Sequence, residues 1–317
     1  MQTARDVLTP DALAMLQSIA QAGSFAGAAR NLGLVPSALT YRVRQIEDAL
    51  DVLLFDRSSR QARPTEAGAE LLREGARLLG EVDAVANRVK RVATGWEPQL
   101  TIALDSIISR PTIMELCEEF FALKPPTRIK LRDEALSGTL LALTSGQADL
   151  AIGVALEPGN SAGNSAGIQG KQLGTLAFVY AVAPNHPLAA APEPLSDALI
   201  QQHRAVAVAD SVQRGSGVTY GLLSGQDVFT VATMHAKLDA QLRGLGSGFV
   251  PECMARPFIE TGRLVVKKVE RPEHVVRAGY VWRGPSKASQ GRALQWWLKQ
   301  LDSPATRSAL LQQRPGL

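Results

Sequence analysis

The sequence predicts an α/β protein preceded by an all-α unit, and three observations carry that reading. At 317 residues the chain is too long for one ordinary core and suits two or three compact units. Residues 9–93 carry helix signals almost throughout, whereas beyond Thr94-Gly95-Trp96-Glu97-Pro98 strand-like apolar runs alternate with helical ones. Such alternation argues for an open, mostly parallel sheet covered by helices. The composition, 45% hydrophobic and 20% charged, is that of a globular protein. The longest apolar stretch, Leu176–Ala183, falls far short of the roughly 20 residues a bilayer crossing needs. Met1–Pro10, with Arg5 and Asp6, lacks the apolar core of a secretory signal, so the expectation is a cytoplasmic protein with no membrane partner.

The first helix opens at Thr9-Pro10-Asp11, a hydroxyl cap followed by proline and an acid in the first turn. Leu13, Leu16, Ile19 and Ala20 repeat at helical spacing until Gly23 stops the run. Ser24 caps a second helix, Phe25–Leu32, whose small residues Ala26-Gly27-Ala28-Ala29 let another helix approach closely, as a helix-turn-helix requires. Pro36 opens a third helix running through Ser37–Leu50. Leu39, Val43, Ile46 and Leu50 form its apolar stripe, and Ser37, Thr40, Tyr41, Arg42 and Arg44 face the other way. Such a helix can enter a DNA major groove, where hydroxyl and guanidinium tips reach base edges or phosphates; the same pattern also suits a solvated surface helix.

Val52–Pro64 reads as a short two-stranded wing whose tip, with Arg57, Ser58, Ser59, Arg60 and Arg63, suits a phosphate backbone. Thr65 caps a long helix from Glu66 to about Ala93. Leu71, Leu78 or Leu79, Val82, Val85, Val89 and Val92 recur along it at steps of three or four, the seam of paired helices. Its length, roughly 42 Å at 1.5 Å per residue, suggests a meeting with a second copy.

The expected elements then run strand Leu100–Leu104, helix Pro111–Leu123, strand Arg128–Asp133, helix Leu136–Ser145 and strand Asp149–Val154. Pro158–Gly170 is low in complexity and reads as a flexible crossing. A second set follows at Leu176–Ala183, Ala205–Ala209, Val228–Thr233, Lys237–Leu245 and Phe249–Val250. The strand Arg277–Trp282 and the helix Ser289–Leu301 return to the first set. Two α/β lobes joined by two crossings imply a cleft, and small ligands prefer such places.

Chemistry-bearing residues are sparse. Cys117 and Cys253 lie far apart and match no metal spacing; they read as ordinary reduced, buried thiols, with redox sensing as the alternative. His186, His203, His235 and His274 are scattered, Ser106 lies in no nucleophile elbow, and Gly215-Ser216-Gly217 lacks the rest of a phosphate loop. No catalytic residue, metal or cofactor is expected, and an enzyme is the weaker reading. A net charge of +4 is compatible with a polyanionic partner without requiring one. A two-lobed solute-binding protein is a further alternative, against which the whole 9–93 module argues.

The motifs Gly23-Ser24-Phe25-Ala26-Gly27-Ala28-Ala29, Pro36-Ser37-Ala38-Leu39-Thr40-Tyr41-Arg42-Val43-Arg44-Gln45-Ile46-Glu47, Leu54-Phe55-Asp56-Arg57 and Thr65-Glu66-Ala67-Gly68 together resemble the N-terminal signature of LysR-type transcription regulators. Gly146-Gln147-Ala148-Asp149-Leu150-Ala151-Ile152-Gly153, Asn185-His186-Pro187-Leu188 and Leu245-Gly246-Ser247-Gly248-Phe249-Val250-Pro251 are similar to that family's effector domain. Two positions depart from the usual pattern: Val35 stands before Pro36-Ser37, and Tyr41 replaces a common arginine. The resemblance implies a winged helix-turn-helix over 1–65, a linker or dimerisation helix over 66–94 and an effector domain over 95–317. That domain would resemble type 2 periplasmic binding proteins, with lobe I at about 99–158 and 270–302 and lobe II at about 168–268. A homodimer or homotetramer on promoter DNA is implied, together with RNA polymerase as a partner and a small-molecule effector between the lobes.

Carried over residue by residue, the DNA-binding set is Ser24, Pro36, Ser37, Thr40, Tyr41, Arg42, Arg44, Arg57 and Arg60. The effector set is Asp105, Ser106, Ile107, Glu134, Gly153, Thr233, Met234, His235 and Phe249, with Gly248 behind. If Asp105 and Glu134 both face the cleft, they disfavour a small dianion, and a neutral, hydroxylated or cationic effector gains ground.

Overall fold

The computed structural model describes residues 3–56, 61–156, 167–212, 221–284 and 290–312, with the backbone alone at 84, 87, 88, 90 and 91. The chain divides into two compact units, Met1–Val89 and Lys90–Leu317.

Unit one begins with a short helix the sequence reading passed over, α1 (Ala4–Val7), capped by reciprocal bonds between Thr3 and Asp6. In α2 (Pro10–Ala22) the Thr9 hydroxyl accepts from Ala12 N at 3.2 Å, and Gly23 ends the helix with φ +63°. In α3 (Phe25–Leu32) the Ser24 hydroxyl accepts from Gly27 N at 3.1 Å. The third predicted helix is α4 (Pro36–Leu50), with Leu39, Val43 and Ile46 buried as expected. These helices close over a core with Met15, Leu16, Ile19, Ala28 and Ala29, against which Phe25 and Phe55 meet edge to face. The wing is an antiparallel ribbon, β1 (Phe55–Asp56) on β2 (Arg63–Pro64); Arg57 and Arg60 lie outside the described residues. The buried Glu47 carboxylate accepts from Leu54 N at 2.8 Å and so fixes where the chain turns from α4 into the wing.

The long helix is α5 (Glu66–Thr94). Leu71, assigned to its seam by periodicity, instead packs with Leu72 against the core of unit one. The outward seam begins further along: Leu78, Val82, Val85 and Val89 are exposed.

In unit two, β3 (Gln99–Asp105), β4 (Arg128–Glu134) and β5 (Leu150–Ala155) are parallel, with α6 (Arg110–Ala122) and α7 (Ser137–Thr144) between them. The chain then runs through β6 (Ile168–Val182), α8 (Asp197–Gln201), β7 (Ala205–Val208), β8 (Val228–Val231), α9 (Met234–Leu242), β9 (Gly248–Pro251), α10 (Glu252–Glu260), β10 (Val265–Lys267) and β11 (His274–Arg283). It returns in α11 (Arg292–Asp302) and a final helix absent from the sequence reading, α12 (Pro304–Leu311).

The expectation of a mostly parallel sheet needs correction. One mixed seven-stranded sheet, β10-β6-β11-β5-β3-β4 with β9 also on β6, runs through both lobes, and only β3–β4, β3–β5 and the separate β7–β8 pair are parallel among the described strands. The cause is β6, which starts at Ile168 rather than Leu176 and pairs antiparallel with β11 over their full common length. The returning helix α11 is anchored by Glu97, whose carboxylate accepts from Ala293 N at 3.0 Å at the helix start. Around it the largest core collects Phe120, Tyr280 and Trp297 with Ile102, Leu104 and Ile152.

Candidate functional site

A cavity of about 1090 Å³ opens in unit two at the carboxyl ends of β3, β5 and β7. That is where open α/β sheets present ligand sites, and the volume lies just above the roughly 300–1,000 Å³ usual for small-molecule pockets. One wall comes from Asp105–Ile107, α7 and Gly153–Leu156; the other comes from Val208, the start of α9, Phe249 and residues 271–277.

The sequence-predicted residues divide on this geometry. Asp105, Ser106, Ile107, Gly153, Met234 and Phe249 line the cavity together. Asp105 is buried and its oxygens are occupied: Oδ1 accepts from Ile107 N at 3.0 Å, and Oδ2 accepts from Leu136 N at 3.0 Å and the Thr139 hydroxyl at 3.1 Å. Burial outweighs these bonds and pushes its pKa up to about 6. Gly153, at φ +96°, has a packing reason: a Cβ there would stand 2.7 Å from that of Asp105.

Glu134, Thr233 and His235 are not among the lining residues. Glu134 points to a clasp between the lobes: Oε1 pairs with Arg132 at 2.8 Å, and Oε2 accepts from the Ser211 hydroxyl at 2.7 Å. Ser137 donates to Asp210 in the same clasp at 2.5 Å, and Met234 N donates to Ser106 Oγ at 3.4 Å. Thr233 caps α9, accepting from Ala236 N at 3.1 Å. His235 occupies the exposed face of α9, one residue round from Met234. The anionic cleft expected from Asp105 and Glu134 therefore does not form: one carboxylate is saturated and the other lies elsewhere.

Sequence reasoning missed Lys237 and the aromatic group Phe178 and His274, all of which line the cavity. Lys237 is buried at 6% exposure, and burial lowers its pKa to about 8. His274 sits 4.8 Å from the Phe178 ring and 5.7 Å from Phe249, its pKa lowered first by burial and then by the Lys237 charge. Arg271 lines the rim, bonded to Asp197 at 2.6 Å and to the Gly221 carbonyl at 3.0 Å.

In unit one, Pro36, Ser37, Thr40, Tyr41, Arg42 and Arg44 are all exposed on α4, opposite its buried stripe. The Thr40 hydroxyl donates to the Pro36 carbonyl at 3.0 Å, and Gln45 donates to the Tyr41 hydroxyl at 3.1 Å. Ser24 is only half exposed and its hydroxyl is engaged in capping α3. Among the described residues no cluster of His, Cys, Asp and Glu could hold a metal ion, and no helix is long and apolar enough to cross a membrane.

Residues 10–69 match the model of the bacterial regulatory helix-turn-helix protein, lysR family, and residues 93–303 match the LysR substrate binding domain. The chain is 36% identical to the uncharacterized HTH-type transcriptional regulator YeeY of Escherichia coli strain K12, over 90% of this chain and 91% of that protein. It is also 36% identical to the probable HTH-type transcriptional regulator YhaJ of the same strain, over 93% and 96% respectively. Full-length LysG from Corynebacterium glutamicum, solved with bound effector Arg, shares the fold at a TM-score of 0.51 and 21% identity, over 96% of this chain and 99% of that one. With a helix-turn-helix that exposes a polar face on α4 and an α/β domain built around a cavity, the chain belongs to the LysR family of DNA-binding transcriptional regulators with an effector-binding domain, and not to the enzymes.

Proposed function

We propose that this regulator is a cytoplasmic homodimer or homotetramer that binds double-stranded promoter DNA through 1–65, pairs through the helix 66–94, and reads a small effector in 95–317, altering its engagement with RNA polymerase. The observation that carries the effector reading is the cavity, because it draws both walls from distant segments and has a mostly apolar surface with polar and charged side chains set into it. The arginine held by LysG supports a small molecule for a domain of this fold. Ligand control follows if the effector binds one arrangement of the protein better than another.

On DNA, Ser37, Thr40, Tyr41 and Arg42 select sequence from the exposed face of α4, while Arg57 and Arg60 in the wing segment hold phosphates. The test is to sequence genomic fragments retained by the purified full chain and then titrate the best site in salt. Arg60→Ala should weaken all sites alike and lower the salt slope by about 1, whereas Arg42→Ala should change the preferred sequence. Retained fragments without a shared site would overturn the DNA reading. An Arg60 variant with altered preference and an unchanged slope would reverse the division of labour.

A further inference from the structure

We propose that Lys237 is the anchor for a carboxylate effector whose apolar body lies against Phe178 and Phe249. This rests on the cavity being the effector site and names the chemistry it selects. The first observation is an unmatched cation. The Lys237 side chain is buried in the cavity wall, and among the described residues no ion pair or hydrogen bond holds its ammonium, whose tip is left to the cavity. A lysine largely withdrawn from bulk water with no partner in the protein is unfavourable, so an anion entering the cavity would find a cation there with no competing acceptor.

The neighbouring acids do not supply that anion. Asp105 spends its oxygens on Ile107, Leu136 and Thr139, and Glu273 stands exposed at the rim. The second observation is the room made for the ammonium. Gly248 has φ +151°, and a Cβ on it would stand 3.3 Å from Lys237 Nζ, so a glycine at this point leaves the amine its place at the wall. Beside it, Phe178, Phe249 and His274 form a ring-lined surface that favours a flat or branched apolar body over a compact polar one. Burial of this amine also lowers its pKa to about 8, so a bound carboxylate finds it still largely charged at neutral pH.

The experiment uses the full-length protein and three matched families of probes: phenylacetate, indole-3-acetate and 4-methylvalerate, each with its carboxamide and the corresponding primary amine. Calorimetry should show the carboxylates binding more tightly than the amides or amines. Lys237→Met should weaken carboxylate binding about 10- to 100-fold and leave the weak amide binding unchanged. The same variant should melt at a higher temperature than the parent, since it removes an unpaired buried charge, which also establishes that it folds. Gly248→Ala should reduce carboxylate affinity by crowding the amine. Hydrogen exchange should report protection at Met234–Lys237 on binding. If amides or amines bind at this cavity and Lys237→Met is indifferent, the cavity stands as the effector site and the lysine assignment falls. If no probe of any charge binds, or binding leaves exchange around the cavity unchanged, both fall.

Discussion

Asp105 shows how a residue can line the cavity and still be chiefly architectural. Its carboxyl collects two backbone N–H groups and a hydroxyl, yet burial holds its pKa near 6 against an ordinary value of 3.8. Because the folded state binds this proton more tightly than the unfolded state, the linked stability is present below about pH 4 and is lost as pH rises to about 6. Urea unfolding at a series of pH values should therefore show the parent losing up to about 3 kcal/mol across that window relative to Asp105→Asn. Superimposable pH profiles would mean that the carboxyl titrates normally. Asp149, also pushed up to about 6 by burial, stays in both proteins and cancels from the comparison. At this scale the sequence made part of the first wall legible, Asp105, Ser106 and Ile107 at the end of one apolar strand and Gly153 within another, but not the contribution of α7 or of Val154–Leu156. It hid Lys237, because a lysine is ordinarily read as solvated. The missed signal was periodic: Met234, Lys237, Leu238 and Gln241 form one buried stripe of α9, with Ala240 buried beside it, and a cation on that stripe could be seen from spacing alone.

Among the elements, α5 has the clearest unfinished surface. Leu71 and Leu72 are used by the core of unit one, whereas Val82, Val85 and Val89 remain half or more exposed, at 50%, 50% and 65%. We expect Val82→Asp to leave the fold of the monomer intact, because nothing in the described chain covers that side chain, and to place an unpaired charge in the seam through which we propose the dimer forms. Sedimentation should find monomers with weakened operator binding; an intact dimer would locate the interface elsewhere. Helix signals were easy to read where caps and stripes coincide, as at Thr9-Pro10 and Pro36. The strand β6 was misread because its first half, Gln169-Gly170-Lys171-Gln172, is polar and follows a low-complexity segment, so local pattern gave no sign of a continuous strand. Only pairing with β11, a contact between residues about a hundred positions apart, makes that half a strand. The helix α12 was lost for a similar reason, its burial resting on Leu310 against a core supplied by other segments.

For the molecule as a whole, composition and motif order revealed the division into a DNA-binding part and a sensing part, but not how the two lobes of the sensing part are joined. They share a strand pair: β6 and β11 are hydrogen-bonded from His274↔Phe178 to Arg283↔Ile168, with the register shifting between Ala278 and Gly279. Such a ribbon would behave as a torsion bar. Pulling its strands apart would break a ladder of backbone bonds, whereas twisting it about its long axis leaves them in place, and the irregularity at Gly279 is where twist is most easily absorbed. An effector that draws the walls together would then wind the ribbon, and the clasp of Glu134, Ser137, Asp210 and Ser211 would act as its stop. Amide exchange should change on effector binding at residues 277–280 and 170–174 while β3 stays protected throughout. Uniform change across the whole sheet would instead indicate a loosening of the domain. Rotation of this kind gives a small ligand mechanical leverage, because a slight turn at the ribbon becomes a larger displacement at the far edges of the lobes.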